Sequence, residues 1–158
     1  PIDSLLSGFK FKARFEAGNV LALLLAEKIA QHYRNTTAPD LLLPVPLHQK
    51  RLRQRGFNQA LEITRVVSRK CGIPSSRNAI VKMRDTTAQT EMHSANARKQ
   101  NLKNAFGVAD EVLLRQVKSV ALIDDAVTTM GTVSSVSREL RVCGIRHIEV
   151  WCLARASR

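Results

Sequence analysis

The most informative segment of the chain is Val120-Ala121-Leu122-Ile123-Asp124-Asp125-Ala126-Val127-Thr128-Thr129-Met130-Gly131-Thr132. Its first four residues form an uninterrupted apolar run, which predicts a strand covered by helices on both faces. Asp124 and Asp125 then stand where that strand should reach the carboxyl edge of the sheet. Ligand crevices of open α/β sheets lie at this edge. The sequence therefore predicts a binding site at the end of a central strand.

The residue types after this strand suit a ribose monophosphate. Paired carboxylates only accept hydrogen bonds, and a ribose presents two neighbouring hydroxyl donors. The turn over 126–132 should lead into a helix, whose free N–H groups and positive dipole end favour an anion. The predicted phosphate-binding residues are Ala126, Val127, Thr128, Thr129, Met130, Gly131 and Thr132. The alternative is structural: Asp124 and Asp125 cap the next helix, and the threonines shape a turn.

Strands and helices alternate along the rest of the chain. Apolar residues at helical spacing predict helices over 17–33, 57–71 and 133–143. Short apolar runs predict strands over 41–46, 79–83 and 148–153. This alternation predicts an α/β fold with a doubly wound, mostly parallel sheet. The basic stretch 49–56 lacks apolar periodicity and is interpreted as a loop, and the long polar segment 84–103 is typical of a functional loop.

Composition is that of one compact domain. The 158 residues are 44% hydrophobic and 24% charged, which excludes a largely disordered chain. The net charge of +12 attracts phosphate-bearing partners, either nucleic acid or small phosphoesters, unless it only reflects a solvated basic surface. Aromatic residues make up 4% of the chain, so it offers few stacking platforms for single-stranded nucleic acid. Phe57 and Trp151 are predicted core residues.

Three further features concern compartment and processing. Cys71, Cys143 and Cys152 lack the spacing of a zinc site or disulfide framework, so we interpret them as reduced, buried thiols of a cytoplasmic protein. The richest apolar run, 20–26, is far shorter than the ~20 residues of a membrane span, and no membrane insertion is expected. The chain begins with Pro1 instead of methionine, which suggests a trimmed start.

The stretch 120–132 resembles the signature of type I phosphoribosyltransferases, with its apolar quartet, acidic pair and threonine-glycine loop. It departs at Met130, where that family usually has glycine. Other segments resemble the ComF/GntX family, the competence-associated branch of these proteins. They are Phe9-Lys10-Phe11-Lys12, Pro44-Val45-Pro46-Leu47-His48, Arg51-Leu52-Arg53, Arg55-Gly56-Phe57-Asn58-Gln59-Ala60, and the spaced residues Arg84, Thr86, Gln89, Arg98, Asn101, Ala105 and Phe106. The resemblance spans nearly the whole chain, without the cysteine-rich zinc module of many members, and implies one phosphoribosyltransferase-like domain over 1–158.

The resemblance also implies a ligand and roles for residues. The ligand would be phosphoribosyl pyrophosphate or a ribose 5-phosphate, with Mg²⁺ held through the ligand and not by the protein directly. Asp124 and Asp125 would be the catalytic residues. The segment 84–101 would be a flap that closes over the reacting centre and excludes water. The pyrophosphate and flap residues would be His48, Arg51, Arg53, Arg55, Arg84 and Arg98. A lone histidine such as His48 or His93 is more often a solvated side chain.

Two functions stay open at this point. One is transfer of a phosphoribosyl group to a nitrogen acceptor, which would make the chain a pentosyl transferase. The other is a non-catalytic accessory of DNA uptake that binds single-stranded DNA through phosphate contacts. Two rival acidic sites do not fit: a receiver domain has its acidic pair after the first strand, and a haloacid dehalogenase needs D-x-D where this chain has Ala126. The chain also has no G-x-x-x-x-G-K-[ST] phosphate loop.

Overall fold

The computed structural model of the chain describes residues 15–85, 104–127 and 130–155. Over these ranges the helices are α1 Phe15–His32, α2 Gln49–Arg55, α3 Gln59–Cys71, α4 Glu111–Arg115 and α5 Gly131–Val142. The strands are β1 Leu41–Pro44, β2 Ile80–Lys82, β3 Phe106–Val108, β4 Ser119–Val127 and β5 His147–Arg155. None of these helices combines the length and apolarity required to cross a lipid bilayer.

The central sheet has the strand order β1-β4-β5, and β4 runs parallel to both neighbours. β1 pairs with β4 from Leu41 opposite Val120 to Pro44 opposite Ile123. β2 and β3 form a separate antiparallel pair. Parallel neighbours joined through helices give the predicted α/β fold with a parallel central sheet, which is confirmed.

Both faces of the sheet are buried, as its continuous apolar strands require. Successive side chains of a strand point to opposite faces. Leu43 and Leu122 pack on one side with α5 and the β2–β3 pair, whereas Leu42 and Ile123 pack on the other side with α1 and α3. Trp151 joins the second cluster. β4 therefore lies at the centre of a three-layer molecule.

The outer edge of β1, which faces away from β4, pairs with only a short segment around Ser75. The Leu42 N–H donates to the Pro74 carbonyl at 2.8 Å, and the Ser76 N–H donates to the Leu42 carbonyl at 3.1 Å. Since donors on one edge of a strand recur at every second residue, positions 44 and 46 would donate next. Both are prolines, which have no N–H to give. Pairing on this edge therefore stops near Leu42.

Several sequence predictions were wrong in detail. The basic stretch 49–56, interpreted as a loop, is largely the helix α2, in which no residue is buried. The strand expected over 79–83 belongs to the antiparallel pair and not to the central sheet. β4 does not end before the acidic pair but continues to Val127. Cys143 is buried as expected, but Cys71 and Cys152 are half-buried.

Candidate functional site

The ladder between β1 and β4 stops at the acidic pair. The Val45 N–H still donates to the Ile123 carbonyl at 2.8 Å. In a parallel ladder the Val45 carbonyl would next accept from the Asp125 N–H. Instead, it accepts from Asn58 Nδ2 at 3.1 Å, and the Asp125 N–H donates to Asp124 Oδ1 at 2.9 Å. Two side chains thus satisfy the backbone groups that would have extended the pairing, and the strands separate there.

The acidic pair therefore lies on a strand with one partner. β4 stays paired with β5 as far as Val127, which lies opposite Arg155. Asp124 and Asp125 are both half-buried at the carboxyl edge of the sheet. The Ala126 N–H donates to Asp125 Oδ1 at 2.8 Å, so this amide is already engaged and the predicted phosphate-binding role of Ala126 finds no free donor. Each carboxylate is held by the backbone amide of the residue that follows it.

Cys152 is the cross-strand neighbour of Asp124. Burial raises the pKa of its thiol and is the largest effect; the Val127 amide lowers it, the carboxylate of Asp124 raises it, and smaller effects of Arg155 and Asp125 oppose each other. A thiol of raised pKa is protonated at neutral pH and is a poor nucleophile. Cys152 therefore packs beside the acidic pair without adding a reactive group to it.

Helix α5 begins close behind the acidic pair. Its N-cap position is Met130, with φ −72° and ψ 0°, and no side chain of the described residues caps the helix there. The negative φ is ordinary for an L-residue, so this backbone conformation does not require the glycine that the phosphoribosyltransferase signature carries. Gly131 and Thr132 belong to the first turn, where backbone amides lack helical partners. Thr128 and Thr129 lie outside the described residues.

The basic residues after β1 surround Asp85. Lys50 Nζ lies 3.4 Å from Asp85 Oδ2, and Arg51 Nε lies 3.8 Å from Asp85 Oδ1. His48 Nδ1 is 3.9 Å from Asp85 Oδ1, but it also accepts the Lys50 N–H at 3.3 Å as the N-cap of α2. A ring nitrogen that accepts this N–H has no proton to offer a carboxylate. We therefore treat His48 as the cap and the two cations as the charge partners of Asp85.

The remaining basic candidates are scattered. Arg53 and Arg55 are exposed in the last turn of α2. Arg84 is exposed next to Asp85. Arg98 lies outside the described residues, as do the other flap positions from 86 to 101. Of the predicted pyrophosphate residues, the structure thus brings His48 and Arg51 together with Asp85.

Comparisons with known proteins give relatives that match nearly the whole chain. Competence protein F of Haemophilus influenzae is 38% identical over 158 residues, which cover 99% of this chain and 69% of that protein. DNA utilization protein YhgH of Escherichia coli K12 is 36% identical, with coverage of 98% and 67%. The chain belongs to the competence protein F family. The protein named DNA utilization protein YhgH in Salmonella typhi is 34% identical over 157 residues.

This member of the competence protein F family spans about two thirds of the length of these relatives. No protein-family model matches it. Among solved structures, the allosteric regulatory enzyme of purine biosynthesis aligns at 17% identity and a TM-score of 0.46, over 85% of this chain and 26% of that one. That likeness is too distant to support an argument. The predicted membership of the ComF/GntX family is confirmed by the curated relatives.

The site of this family member includes residues to which sequence reasoning gave no role. Lys50 was not predicted as a pyrophosphate residue, although its Nζ lies nearer to the Asp85 carboxylate than Arg51 Nε does. Lys82 is half-buried with Nζ 5.5 Å from the centre of the Phe106 ring. Burial, then the charge of Arg51, lowers the pKa of Lys82, and Asp85 acts in the opposite direction. A short strand with two apolar residues before its lysine gives no sign that the lysine lies near these charges.

A buried amide was also missed. Gln59, 2% exposed, opens α3 beside Asn58, and its Nε2 has no hydrogen-bond partner among the residues that the structure describes. Buried donors are nearly always paired, so such an atom marks a place where water or a ligand can bind.

A recess of about 340 Å³ opens at the outer edge of β1, with Pro44, Pro46 and Lys82 in its wall. The acidic pair does not line this recess.

Proposed function

We propose that this chain binds phosphoribosyl pyrophosphate and transfers its phosphoribosyl group to a nitrogen acceptor. One observation carries the proposal: Asp124 and Asp125 lie where the β1–β4 ladder stops, and the uncapped first turn of α5 follows them. A half-buried pair of acceptors beside the first-turn amides of a helix, which lack helical partners, matches a ligand that has hydroxyls at one end and a phosphate at the other. The basic residues at the end of β1 lie at the same edge of the sheet.

Each group of residues has one task in this proposal. The carboxylates of Asp124 and Asp125 accept hydrogen bonds from the ribose hydroxyls. The first-turn amides at Gly131 and Thr132 hold the 5-phosphate, aided by the dipole of α5. Arg51 faces the pyrophosphate. Such a site works by positioning and by charge stabilisation rather than by a dedicated base.

The reaction is a displacement at the anomeric carbon. The bond from that carbon to the pyrophosphate oxygen breaks, the oxygen keeps the electron pair, and the acceptor nitrogen forms the new bond. Positive charge develops on the ribose, and the carboxylates of Asp124 and Asp125 stabilise it. Mg²⁺ would be held through the ligand phosphates and not by the protein directly, and it would offset the charge of the leaving pyrophosphate.

Isothermal titration calorimetry with phosphoribosyl pyrophosphate and Mg²⁺ tests this assignment. The double variant Asp124→Asn, Asp125→Asn should bind at least about tenfold more weakly, because charge-assisted hydrogen bonds contribute about 1.5–3 kcal/mol each. The matched control is Glu62→Gln, Glu111→Gln, which removes two carboxylates from surface ion pairs. This control should keep the affinity of the unmodified chain. Equal affinity in the aspartate variant would refute the proposed roles.

A second function is favoured by the names of the relatives, which refer to competence and to DNA utilization. We propose that the chain also contacts single-stranded DNA in DNA uptake, through its net charge of +12. Such binding is electrostatic, so its affinity should fall steeply between ~50 and ~200 mM salt. Filter binding of an oligonucleotide at the two salt concentrations measures this. Absent or salt-insensitive binding would remove the idea.

Exposed arginines separate the two functions. Arg53 and Arg55 lie at the solvent-facing end of α2, away from the ion pairs of Asp85. Replacing both with glutamine should lower the slope of DNA affinity against salt by about one for each phosphate that the variant fails to neutralise. The same variant should leave the affinity for phosphoribosyl pyrophosphate within about twofold, since surface charges act weakly on a ligand they do not touch.

A further inference from the structure

The carboxylate of Asp85 is paired with two basic residues of α2. This carboxylate lies between Lys50 and Arg51, with one oxygen toward each cation at 3.4 and 3.8 Å. Two cationic side chains therefore flank one carboxylate at the end of β1 that faces the acidic pair.

The contacts of Asp85 are weak enough to exchange. The side chain of Lys50 is 65% exposed and that of Asp85 33% exposed, so water screens the pair. Exposed ion pairs of this kind contribute little to stability. A pyrophosphate group carries several negative charges and many acceptor oxygens, so the same cations attract it more strongly than they attract one carboxylate.

We propose that Asp85 is an internal anion that fills the pyrophosphate subsite formed by Lys50 and Arg51, and that an incoming pyrophosphate group displaces it. This inference rests on the proposed function and adds Lys50 to the residues that bind the ligand. It also leaves Arg53 and Arg55 out of the subsite, because they lie at the far end of α2 from this contact. Asp85 then sets the affinity for pyrophosphate by competing with it.

Calorimetric titrations with two probes test the exchange. Magnesium pyrophosphate reports on the subsite of Lys50 and Arg51, and ribose 5-phosphate reports on the acidic pair and α5. Asp85→Asn should bind magnesium pyrophosphate about three- to tenfold more tightly, which is the size expected when two partly solvated ion pairs no longer compete. It should bind ribose 5-phosphate with unchanged affinity. Lys50→Gln should weaken pyrophosphate binding alone.

The control variant is Glu111→Gln, which removes one carboxylate from a surface ion pair on α4. It should leave both affinities unchanged, so a gain in Asp85→Asn cannot come from net charge. If Asp85→Asn binds pyrophosphate no more tightly than the unmodified chain does, the exchange is wrong while the proposed function stands. If neither probe binds to any of these variants, the proposed function and the exchange both fail.

Discussion

Within the described part of the chain, Gln59 carries a buried side-chain nitrogen without a hydrogen-bond partner. A buried polar group left unpaired costs about 1–3 kcal/mol. We expect Gln59→Met, which keeps the shape and removes the donor, to raise the free energy of unfolding by about 1 kcal/mol. Urea denaturation measures this.

The matched control is Thr64→Val on the same helix. The Thr64 hydroxyl is buried but donates to the Ala60 carbonyl at 2.7 Å, so its loss should not stabilise the protein. A drop in stability for Gln59→Met would show that a bound water satisfies the amide of the unmodified chain.

Tyr33 is the single tyrosine of the chain, which makes its ionisation directly visible. Its hydroxyl donates to Glu149 Oε2, which also accepts from Trp151 Nε1 at 3.0 Å. Burial, followed by the hydrogen bond and the charge of Glu149, raises the pKa of Tyr33 well above its ordinary value. The stability linked to Tyr33 is therefore present below the unfolded-state pKa of about 10 and is lost as the pH rises through the folded-state pKa.

We expect ultraviolet absorbance to show almost no phenolate in the folded protein at about pH 10.5, whereas the urea-unfolded chain should be mostly ionised there. Glu149→Gln removes the negative charge and should lower the pKa of Tyr33 toward the ordinary value. Ordinary titration in the unmodified folded chain would contradict the assigned contact.

Among the elements, α3 begins at a residue with two tasks. Asn58 Oδ1 accepts the Ala60 N–H at 3.0 Å and caps the helix, while Nδ2 donates to the Val45 carbonyl. Asn58→Asp keeps an acceptor for the cap but loses the donor. We expect it to lower the free energy of unfolding by about 1–2 kcal/mol, because the Val45 carbonyl loses its partner and faces a new charge.

Asn58→Ser keeps the helix cap, because serine is a good N-cap residue, but loses the hydrogen bond to the Val45 carbonyl, because its hydroxyl is too short to reach β1. Both variants should show similar losses by urea denaturation. Full stability in Asn58→Asp would mean that the Val45 carbonyl finds another donor, and that the separation of β1 from β4 has a different cause.

The amino ends of β1 and β4 are joined by Asp40. Its Oδ2 accepts from the Lys118 N–H, the Ser119 N–H and the Ser119 hydroxyl, each at 2.9 Å. These bonds, that from Lys118 first, lower the pKa of Asp40. A lowered carboxyl pKa gives stability above the unfolded-state pKa of about 3.9, and this stability is lost as the pH falls through the folded-state pKa.

Asp40→Asn should therefore have a lower Tm than the unmodified chain at pH 7, and the difference should shrink as the pH falls below about 4. Thermal unfolding followed by circular dichroism across this pH range measures it. The surface variant Glu111→Gln serves as the control for a change of charge. A difference in Tm that does not depend on pH would show that Asp40 acts only through its shape.

The sequence predicted those strands and helices whose residue pattern is determined by burial. Apolar runs located the strands of the parallel sheet, because a strand covered on both faces must be apolar throughout. Helix α2 was missed because no residue of it is buried, so its sequence QKRLRQR carries no periodic signal. The acidic pair was placed at the correct edge of the sheet. The contact of Lys50 with Asp85 could not be predicted, since it joins two exposed side chains 35 positions apart.

Over the whole molecule, β4 connects the two core clusters. Leu122 is completely buried on the side of α5, and its neighbour Ile123 is completely buried on the side of α1 and α3. We expect Leu122→Ala to cost about 3–5 kcal/mol, as for other large-to-small changes in tightly packed cores. The exposed Val142→Ala on α5 is the control and should change stability by no more than about 0.5 kcal/mol.

The two layers should unfold together, because one strand supplies both. Trp151 is the only tryptophan and packs in the layer opposite Leu122, so its fluorescence reports on the far side of the sheet. Leu122→Ala should shift the fluorescence midpoint and the circular dichroism midpoint in urea by the same amount. Separate midpoints would mean that the layers unfold independently.

The two prolines that follow the apolar run of β1 have a consequence for how copies of the protein meet in concentrated solution. A bare strand edge can template the addition of a foreign strand, which is a common route to aggregates. Past Leu42 this edge offers no amide hydrogen at position 44 or 46. A strand added to this edge would lack every second hydrogen-bond donor. Addition of a strand from another copy of the protein is therefore disfavoured at this edge.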